Sequence, residues 1–369
     1  MFDHTRRNLL RTALGAGALA PALPLTGCAD LIDAVAKSCP DDPAESAGVD
    51  WIPDALHPMF YGFKDYDVAQ GAPGPVRVFY PTYEGSPQDA PILKLCVIRY
   101  PVVLFLHGMP PCPVAEYNKQ WFMGPAVLAR CGYVVAVPNY SPQLPEADSP
   151  NIALANSYID WMRHGWEHSK WADARESSTA VVGHSYGALL AGRVAAARPD
   201  VAAYVGLSGP WAEFSRPLPV LQAIPCPSFY MWGTADPIGG AFENLDGGGG
   251  LWSKLTTPRY AAVFPGEHFD YIRPIAACGG TPRGDCLLIE SVAAELSALF
   301  IARKMPVATS HTPTLIPVNL DPPTVTLTTQ QAFFAGAHLN GIQLIRTREG
   351  CRVDLRWDDG GTGSRRLGP

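Results

Sequence analysis

The sequence predicts an α/β fold, in which a mostly parallel sheet carries helices on both faces. Short apolar runs of strand length alternate along the chain with longer helical stretches. The run at 101–106 is apolar almost throughout, as in a strand buried on both faces. The segment at 183–187 reads GHSYG and separates a short apolar run from an Ala-rich stretch, which predicts a strand, a sharp turn and a helix.

Length and composition indicate a globular enzyme-sized body. The chain has 369 residues, of which 47% are hydrophobic and 17% charged, with a formal net charge of -6. No basic stripe points to nucleic acid. No CxxC or HExxH pattern suggests a metal site, and no cofactor is predicted. The oligomeric state stays open.

Residues 1–27 are predicted to be an export signal. The pair Arg6-Arg7 precedes a weakly apolar run at 13–25 and resembles a twin-arginine signal; an ordinary secretory leader is the alternative. The run ends in LTGC, which resembles a lipoprotein box with Cys28 as the acylated residue; a chance cysteine beside a plain cleavage site is the alternative. The protein is therefore expected to be periplasmic or at the cell surface, anchored in the membrane through Cys28, with residues 28–50 as a flexible tether.

Export places the cysteines where they can oxidise. Of the nine cysteines, Cys278 and Cys286 bracket a Gly/Pro-rich loop and are the preferred disulfide. The connectivity of the others stays open, and Cys131 and Cys226 lie beside strand-like runs where a buried free thiol is equally compatible with the sequence.

Along the chain, residues 51–66 are interpreted as an irregular, aromatic entry segment of a domain that spans 51–305. Strands are predicted at 76–80, 93–98, 101–106, 133–137, 179–182, 202–207, 228–232 and 260–264. Helices are predicted at 117–129, 152–171, 188–197 and 287–304. Residues 306–369 change character, with short alternating runs at 324–328, 342–345 and 353–357, and are interpreted as a small β-rich extension.

The serine turn carries the chemistry. A serine hydroxyl is a useful nucleophile only when it is exposed, near a base and close to donors that hold an oxyanion. Gly183 and Gly187 omit β-carbons that would collide where strand and helix nearly touch. Ser185 then lies at a helix N-terminus, where backbone N–H groups favour developing negative charge.

Together, these features resemble the α/β-hydrolase family over residues 75 to 304. The dipeptide His107-Gly108 follows one strand, the Ser185 turn follows another, and Asp236 and His268 follow two later strands. The order serine, acid, histidine is that family's order. Ser185 argues against relatives that use an aspartate nucleophile, such as haloalkane dehalogenases and epoxide hydrolases.

The resemblance implies a triad. His268 lies in a loop after the strand at 260–264 and is assigned as general base and then acid. Asp236, just past a strand end, is assigned as the carboxylate that orients His268; a turn-forming Asp before Pro237 is the alternative. Asp246 and Asp270 are the other candidates for the acid.

The resemblance also points to an oxyanion hole and a substrate wall. The backbone N–H groups of Tyr186 and Met109 are the implied donors, and His107 is interpreted as shaping the turn. Trp211 resembles the aromatic wall of cutinase-type relatives, with a partly buried core tryptophan as the alternative. His184, inside the serine turn, is a second candidate for substrate binding, although packing is also compatible with its position.

The resulting hypothesis is an exported serine hydrolase that cleaves carboxylic esters through an acyl-enzyme. The branches that it most resembles are the cutinases, dienelactone hydrolases and lipoprotein-associated acetylhydrolases, which favours a polyester or a short-chain lipid ester. Amide, thioester or peptide cleavage would use the same residues. The alternative from another class is a catalytically silent lipoprotein that keeps the fold for binding.

Overall fold

The computed structural model describes residues 60–82, 87–93, 99–111, 113, 115–121, 123–130, 132–142, 150–175, 177–209, 218–238, 251–256, 258–264, 266–272, 289–305, 353–358 and 362–367. The predicted signal and tether lie outside these residues, as do Cys28, Cys131, Trp211, Asp246, Cys278, Cys286, residues 94–98 of the predicted strand at 93–98, and the predicted strands at 324–328 and 342–345. Within the described residues, no helix combines the length and the apolar character needed to cross a membrane.

The described strands form one ten-stranded sheet in the order β1-β2-β4-β3-β5-β6-β7-β8-β9-β10. Their bounds are β1 Phe60–Tyr66, β2 Val76–Thr82, β3 Val102–Leu106, β4 Val134–Pro138, β5 Thr179–His184, β6 Val201–Leu207, β7 Ser228–Gly233, β8 Arg259–Phe264, β9 Val353–Asp358 and β10 Thr362–Leu367. Strands β4, β3, β5, β6, β7 and β8 are parallel neighbours, and antiparallel strands extend both edges. The predicted α/β class is confirmed.

Six helices are described: α1 Met123–Arg130, α2 Asn151–His164, α3 Tyr186–Ala197, α4 Leu218–Ala223, α5 Leu251–Lys254 and α6 Ile289–Lys304. Short 3-10 turns cover Val68–Gln70, Tyr117–Gln120 and Ser169–Trp171. The predicted helix at 117–129 is therefore a 3-10 turn followed by α1, and the one at 152–171 is α2 followed by a second 3-10 turn.

Helices pack on both faces of the sheet. In β3, Val103 and Phe105 join one hydrophobic core with side chains of α1 and α6. The alternate residues Leu104 and Leu106 join a second core with α2 and α3. Because every residue of β3 is buried, the strand has the apolar sequence that the parallel interior of the sheet requires.

Strand β1 lies in the segment 51–66, which the sequence predicts to be irregular, and that prediction is wrong for residues 60–66. The strand pairs antiparallel with β2. Phe63 is buried and Tyr61 packs against the same core, while a β-carbon added to Gly62 would lie 2.6 Å from the Tyr80 ring. The aromatic residues thus follow the two-residue period of a strand, and Gly62 leaves room for a neighbouring ring.

The C-terminal residues extend the sheet. Strand β9 pairs antiparallel with β8, and β10 pairs with β9. Arg259 in β8 forms an ion pair with Asp358 in β9 at 2.8 Å. Elsewhere in the described part of the chain, Cys226 is a buried free thiol, and burial raises its pKa to about 12.

The parallel register brings four strand ends to one edge. Leu106 of β3 pairs with Gly183 of β5, and Gly233 of β7 pairs with Phe264 of β8. The residues that follow these strands therefore meet at the carboxyl edge, where open α/β sheets carry their functional groups.

Candidate active site

Ser185 lies at the junction between β5 and α3. Its backbone has φ 55° and ψ -124°, a conformation that L-residues adopt only where the surrounding structure enforces it. A β-carbon added to Gly183 would lie 2.1 Å from the Gly187 carbonyl oxygen, and one added to Gly187 would lie 2.2 Å from that of Leu106. Strand, turn and neighbouring strand touch through backbone atoms, which only glycine permits at both positions.

Three buried side chains form a hydrogen-bonded chain at this edge. Ser185 Oγ lies 2.8 Å from His268 Nε2. His268 Nδ1 lies 3.0 Å and 2.9 Å from the two carboxylate oxygens of Asp236. Because an ionised carboxylate only accepts hydrogen bonds, Nδ1 carries a proton, and Nε2 of a neutral imidazole is then free to accept from the serine hydroxyl. An arrangement of this kind can take the proton from a serine as it attacks.

The loops that carry Asp236 and His268 are joined through backbone contacts. Ala235 N–H donates to the Gly266 carbonyl at 3.0 Å, and a β-carbon added to Gly233 would lie 2.3 Å from the same carbonyl oxygen. Ile238 N–H donates to Asp236 Oδ1 at 2.8 Å. These contacts fix the carboxylate relative to the histidine before any substrate arrives.

Asp270, a second candidate for the acid, has a different partner. Its carboxylate accepts from the backbone N–H of Glu267 at 2.7 Å, within its own loop, and burial raises its pKa. Asp246 lies outside the described residues. Of the predicted acids that the structure describes, Asp236 is the one beside His268.

The predicted oxyanion residues adjoin Ser185. A β-carbon added to Gly108 would lie 2.6 Å from Ser185 Cβ, so the segment His107–Met109 packs directly against the serine. Met109 is exposed. Tyr186 directly follows Ser185 and is the first residue of α3, and the first N–H groups of a helix point toward its N-terminal end.

His184 is fully buried, which contradicts the prediction that it contacts substrate. Its Nε2 lies 2.7 Å from the backbone carbonyl oxygen of His268 and therefore donates to it. The ring also packs 4.9 Å from the rings of Trp121 and His268. Burial, with the nearby His268, lowers the pKa of His184 to about 3, so the ring is neutral. His184 therefore packs against the loop that carries His268 and holds it through this hydrogen bond.

Two residues that the sequence analysis missed hold the segments around Ser185. The Tyr140 hydroxyl donates to the His107 carbonyl oxygen. Asn151 Nδ2 donates to the Ser141 carbonyl at 2.9 Å and lies 3.4 Å from the Tyr186 hydroxyl. The sequence feature that could have identified Tyr140 is its position just after the end of β4, at the same carboxyl edge of the sheet as the other site residues.

Among the residues that the structure describes, no group of three or more His, Cys, Asp or Glu side chains could hold a metal ion.

The strand order, with a sharp serine turn after β5, is that of an α/β-hydrolase. The family model described as Chlorophyllase matches residues 70–207, from the segment before β2 to the end of β6. The match contains Ser185 and ends before Asp236 and His268. None of the curated proteins matches significantly. The chain has the α/β-hydrolase fold, and its similarity to a family of esterases supports an ester hydrolase.

Proposed function

We propose that the protein is an exported serine hydrolase that cleaves carboxylic esters through an acyl-enzyme. The observation that carries the proposal is the continuous contact from Ser185 Oγ through His268 to Asp236, with separations of 2.8 Å and 2.9 Å. Similarity to an esterase family favours an ester over an amide as the substrate.

Acylation begins when Ser185 Oγ attacks the ester carbonyl carbon and its proton passes to His268 Nε2. Asp236 stabilises the resulting imidazolium through Nδ1–H. The carbonyl oxygen takes up negative charge in the tetrahedral intermediate, and the N–H groups of Met109 and Tyr186 donate to it. His268 then returns its proton to the leaving alkoxide, which departs as the alcohol.

Deacylation repeats these steps with water. His268 takes a proton from a water molecule, whose oxygen attacks the acyl carbonyl, and the proton then passes to Ser185 Oγ as the acid leaves. Neither half-reaction consumes a cofactor, because proton transfer and charge stabilisation suffice.

The exposed apolar side chains of the described residues favour an ester with an apolar group. They are Val68, Met109 and Ile238. Two of these three flank the site: Met109 lies on the segment against Ser185, and Ile238 follows Asp236 by two residues. We propose that Met109 and Ile238 contact the apolar part of the ester, since ligand sites are lined mainly by apolar side chains.

Turnover of a short-chain p-nitrophenyl ester by purified variants tests the proposal. Ser185→Ala is expected to reduce kcat to background, by about a million-fold, while the matched control Ser157→Ala, on α2, keeps full activity.

Asp236→Asn is expected to reduce kcat by about 10⁴-fold, since the amide stabilises the wrong tautomer of His268. The matched control is Asp270→Asn, which changes a nearby carboxylate that accepts from the Glu267 N–H, and it is expected to keep most of the activity. Turnover that survives in Ser185→Ala would refute the serine mechanism, and a folded parent with no activity would favour the binding lipoprotein.

Membrane anchoring through Cys28 is a separate part of the proposal and rests on the sequence alone. Metabolic labelling with a tagged fatty acid is expected to mark the exported parent and not Cys28→Ala, which should appear in the soluble fraction. Equal labelling of both proteins would count against the lipid anchor.

A further inference from the structure

Tyr140 holds His107 through three contacts. Its hydroxyl donates to the His107 carbonyl oxygen, and its ring stacks on the His107 ring at 4.2 Å with an interplanar angle of 13°. Its backbone N–H approaches His107 Nε2 at 3.5 Å. A single residue after β4 therefore fixes both the backbone and the ring of His107.

The proton on His107 has a defined position. His107 Nδ1 lies 2.8 Å from the Gly108 carbonyl oxygen, and because a carbonyl oxygen only accepts, Nδ1 is the protonated nitrogen. The ring is buried, and burial lowers its pKa to about 4, so Nε2 carries no proton at neutral pH. Nε2 can then accept from Tyr140 N–H, which agrees with the approach of those two atoms.

The Gly108 carbonyl belongs to the same peptide unit as the Met109 N–H. A peptide unit is planar and trans, with its C=O and N–H pointing in opposite directions. Holding the Gly108 carbonyl against His107 Nδ1 therefore fixes the direction of the Met109 N–H. This N–H is one of the two donors to which we assign the oxyanion.

Close contacts on two sides confine the segment His107–Met109. An added β-carbon at Gly108 would lie 2.6 Å from Ser185 Cβ, and one at Gly187 would lie 2.5 Å from the His107 carbonyl oxygen. The His107 carbonyl is thus enclosed between the Tyr140 hydroxyl and the start of α3. Any rotation of His107 is transmitted to the peptide that follows it.

We propose that Tyr140 is a positioning residue that acts through His107 to orient the Gly108–Met109 peptide, and with it the Met109 N–H, for stabilisation of the oxyanion. This inference rests on the proposed function, because the oxyanion exists only if Ser185 attacks a carbonyl. It assigns Tyr140 no contact with substrate. Loss of the Tyr140 hydroxyl should therefore weaken stabilisation of the transition state and leave ground-state binding of the substrate unchanged.

Tyr140→Phe tests the inference, since it removes the hydroxyl and leaves the ring to stack. The matched control is Tyr158→Phe, which removes a tyrosine hydroxyl that donates to the Pro75 carbonyl at 3.2 Å and leaves that carbonyl its second donor, the Asn139 N–H, at 2.8 Å. Misorienting one oxyanion donor is expected to lower kcat by about 10- to 100-fold, less than the cost of about 100- to 1000-fold for losing a donor outright, with KM for a short-chain ester changed less than about two-fold. Affinity for a trifluoromethyl ketone, which forms a charged tetrahedral adduct, should fall in parallel with kcat.

Two further variants separate positioning from simple packing. In His107→Asn the side-chain amide nitrogen stands near the place of Nδ1 and can still donate to the Gly108 carbonyl, so much of the activity should return relative to His107→Leu. In His107→Gln the amide nitrogen stands near the place of Nε2, and no such recovery is expected. Thermal unfolding of each variant monitors the fold.

The outcomes are distinguishable from a failure of the proposed function. If Ser185→Ala removes turnover while Tyr140→Phe matches Tyr158→Phe in kcat and in inhibitor affinity, the positioning inference is wrong and the serine mechanism stands. Equal activity of the Asn and Gln variants at His107 would also overturn it. If Ser185→Ala keeps turnover, both proposals fail.

Discussion

The position of His268 depends on a buried neighbour, His184. The hydrogen bond from His184 Nε2 to the His268 carbonyl, at 2.7 Å, ties the nucleophile turn to the histidine loop. The nucleophile turn follows β5 and the histidine loop follows β8, so this contact directly links the segments that carry the proposed nucleophile and its base. A side chain in this position contributes to catalysis by holding another residue in place.

We expect His184→Leu to lower kcat for a short-chain ester by about 10- to 100-fold, because small displacements of a catalytic group have large effects on rate. In His184→Gln the amide nitrogen can occupy the place of Nε2 and donate to the same carbonyl, so activity should largely recover. Steady-state kinetics with thermal unfolding as a control would measure this. Equal kcat values for the Leu and Gln variants would contradict the role assigned to the hydrogen bond.

At the scale of elements, the unit formed by β5, the serine turn and α3 determines the site. The positive φ of Ser185 and the backbone contacts of Gly183 and Gly187 keep strand, turn and helix in one arrangement. Gly192, in the same helix, differs from both, since the nearest atom to an added β-carbon there is 3.6 Å away. The helix thus offers a matched pair of glycines, one constrained and one not.

Gly187→Ala is expected to prevent correct folding or remove activity, because its β-carbon would overlap the backbone of Leu106 and His107. Gly192→Ala is expected to keep full activity and to raise the free energy of unfolding by about 0.5–1 kcal/mol, as alanine loses less conformational entropy in a helix. Urea denaturation and ester turnover would compare them. An active, stable Gly187→Ala protein would show that the turn has more room than we describe.

At the scale of the whole molecule, two buried neutral histidines make stability depend on pH. The pKa of His107 is lowered to about 4 and that of His184 to about 3 in the folded protein. Unfolding returns each ring to water, where its ordinary pKa is 6.5. Between these values the unfolded chain binds more protons than the folded one, so stability falls as the pH is lowered.

The free energy of unfolding is therefore expected to decrease from about pH 6.5 down to about pH 4 for His107 and about pH 3 for His184, by up to about 1.4 kcal/mol per pH unit for each histidine. Asp200, whose pKa is lowered from 3.8 to about 2 by Arg198, adds a further loss of stability as the pH falls between these two values. Denaturation at a series of pH values would measure the slope. The double variant His107→Asn, His184→Gln should have a flatter profile, and an unchanged profile would contradict the burial argument.

The C-terminal strands give the molecule its outer edge. Because β9 pairs with β8, removing it would expose the backbone of a buried strand and break the pair between Arg259 and Asp358. Deletion of residues 306–369 is expected to lower the melting temperature and to promote association. Thermal unfolding and size-exclusion chromatography would test this. A monomeric truncated protein with an unchanged melting temperature would show that the tail contributes nothing to the sheet.

The sequence was most informative where one physical requirement dominates. Continuous apolar runs predicted the parallel strands, because such strands are buried on both faces, and the paired glycines around Ser185 predicted the turn. Strand β10 was missed because its sequence, TGSRRL, has no apolar face. The contacts of Tyr140 and the inward direction of His184 could not be predicted, since both depend on how separate loops meet in three dimensions.

The central claim is that Ser185 is a nucleophile activated by His268, and the most direct measurement is mass spectrometry after reaction with a fluorophosphonate probe. The parent protein should carry one adduct at Ser185, and Ser185→Ala and His268→Ala should carry none under the same conditions. Ser157→Ala should react like the parent. A folded parent that stays unlabelled, or an adduct on another residue that persists in Ser185→Ala, would contradict the account.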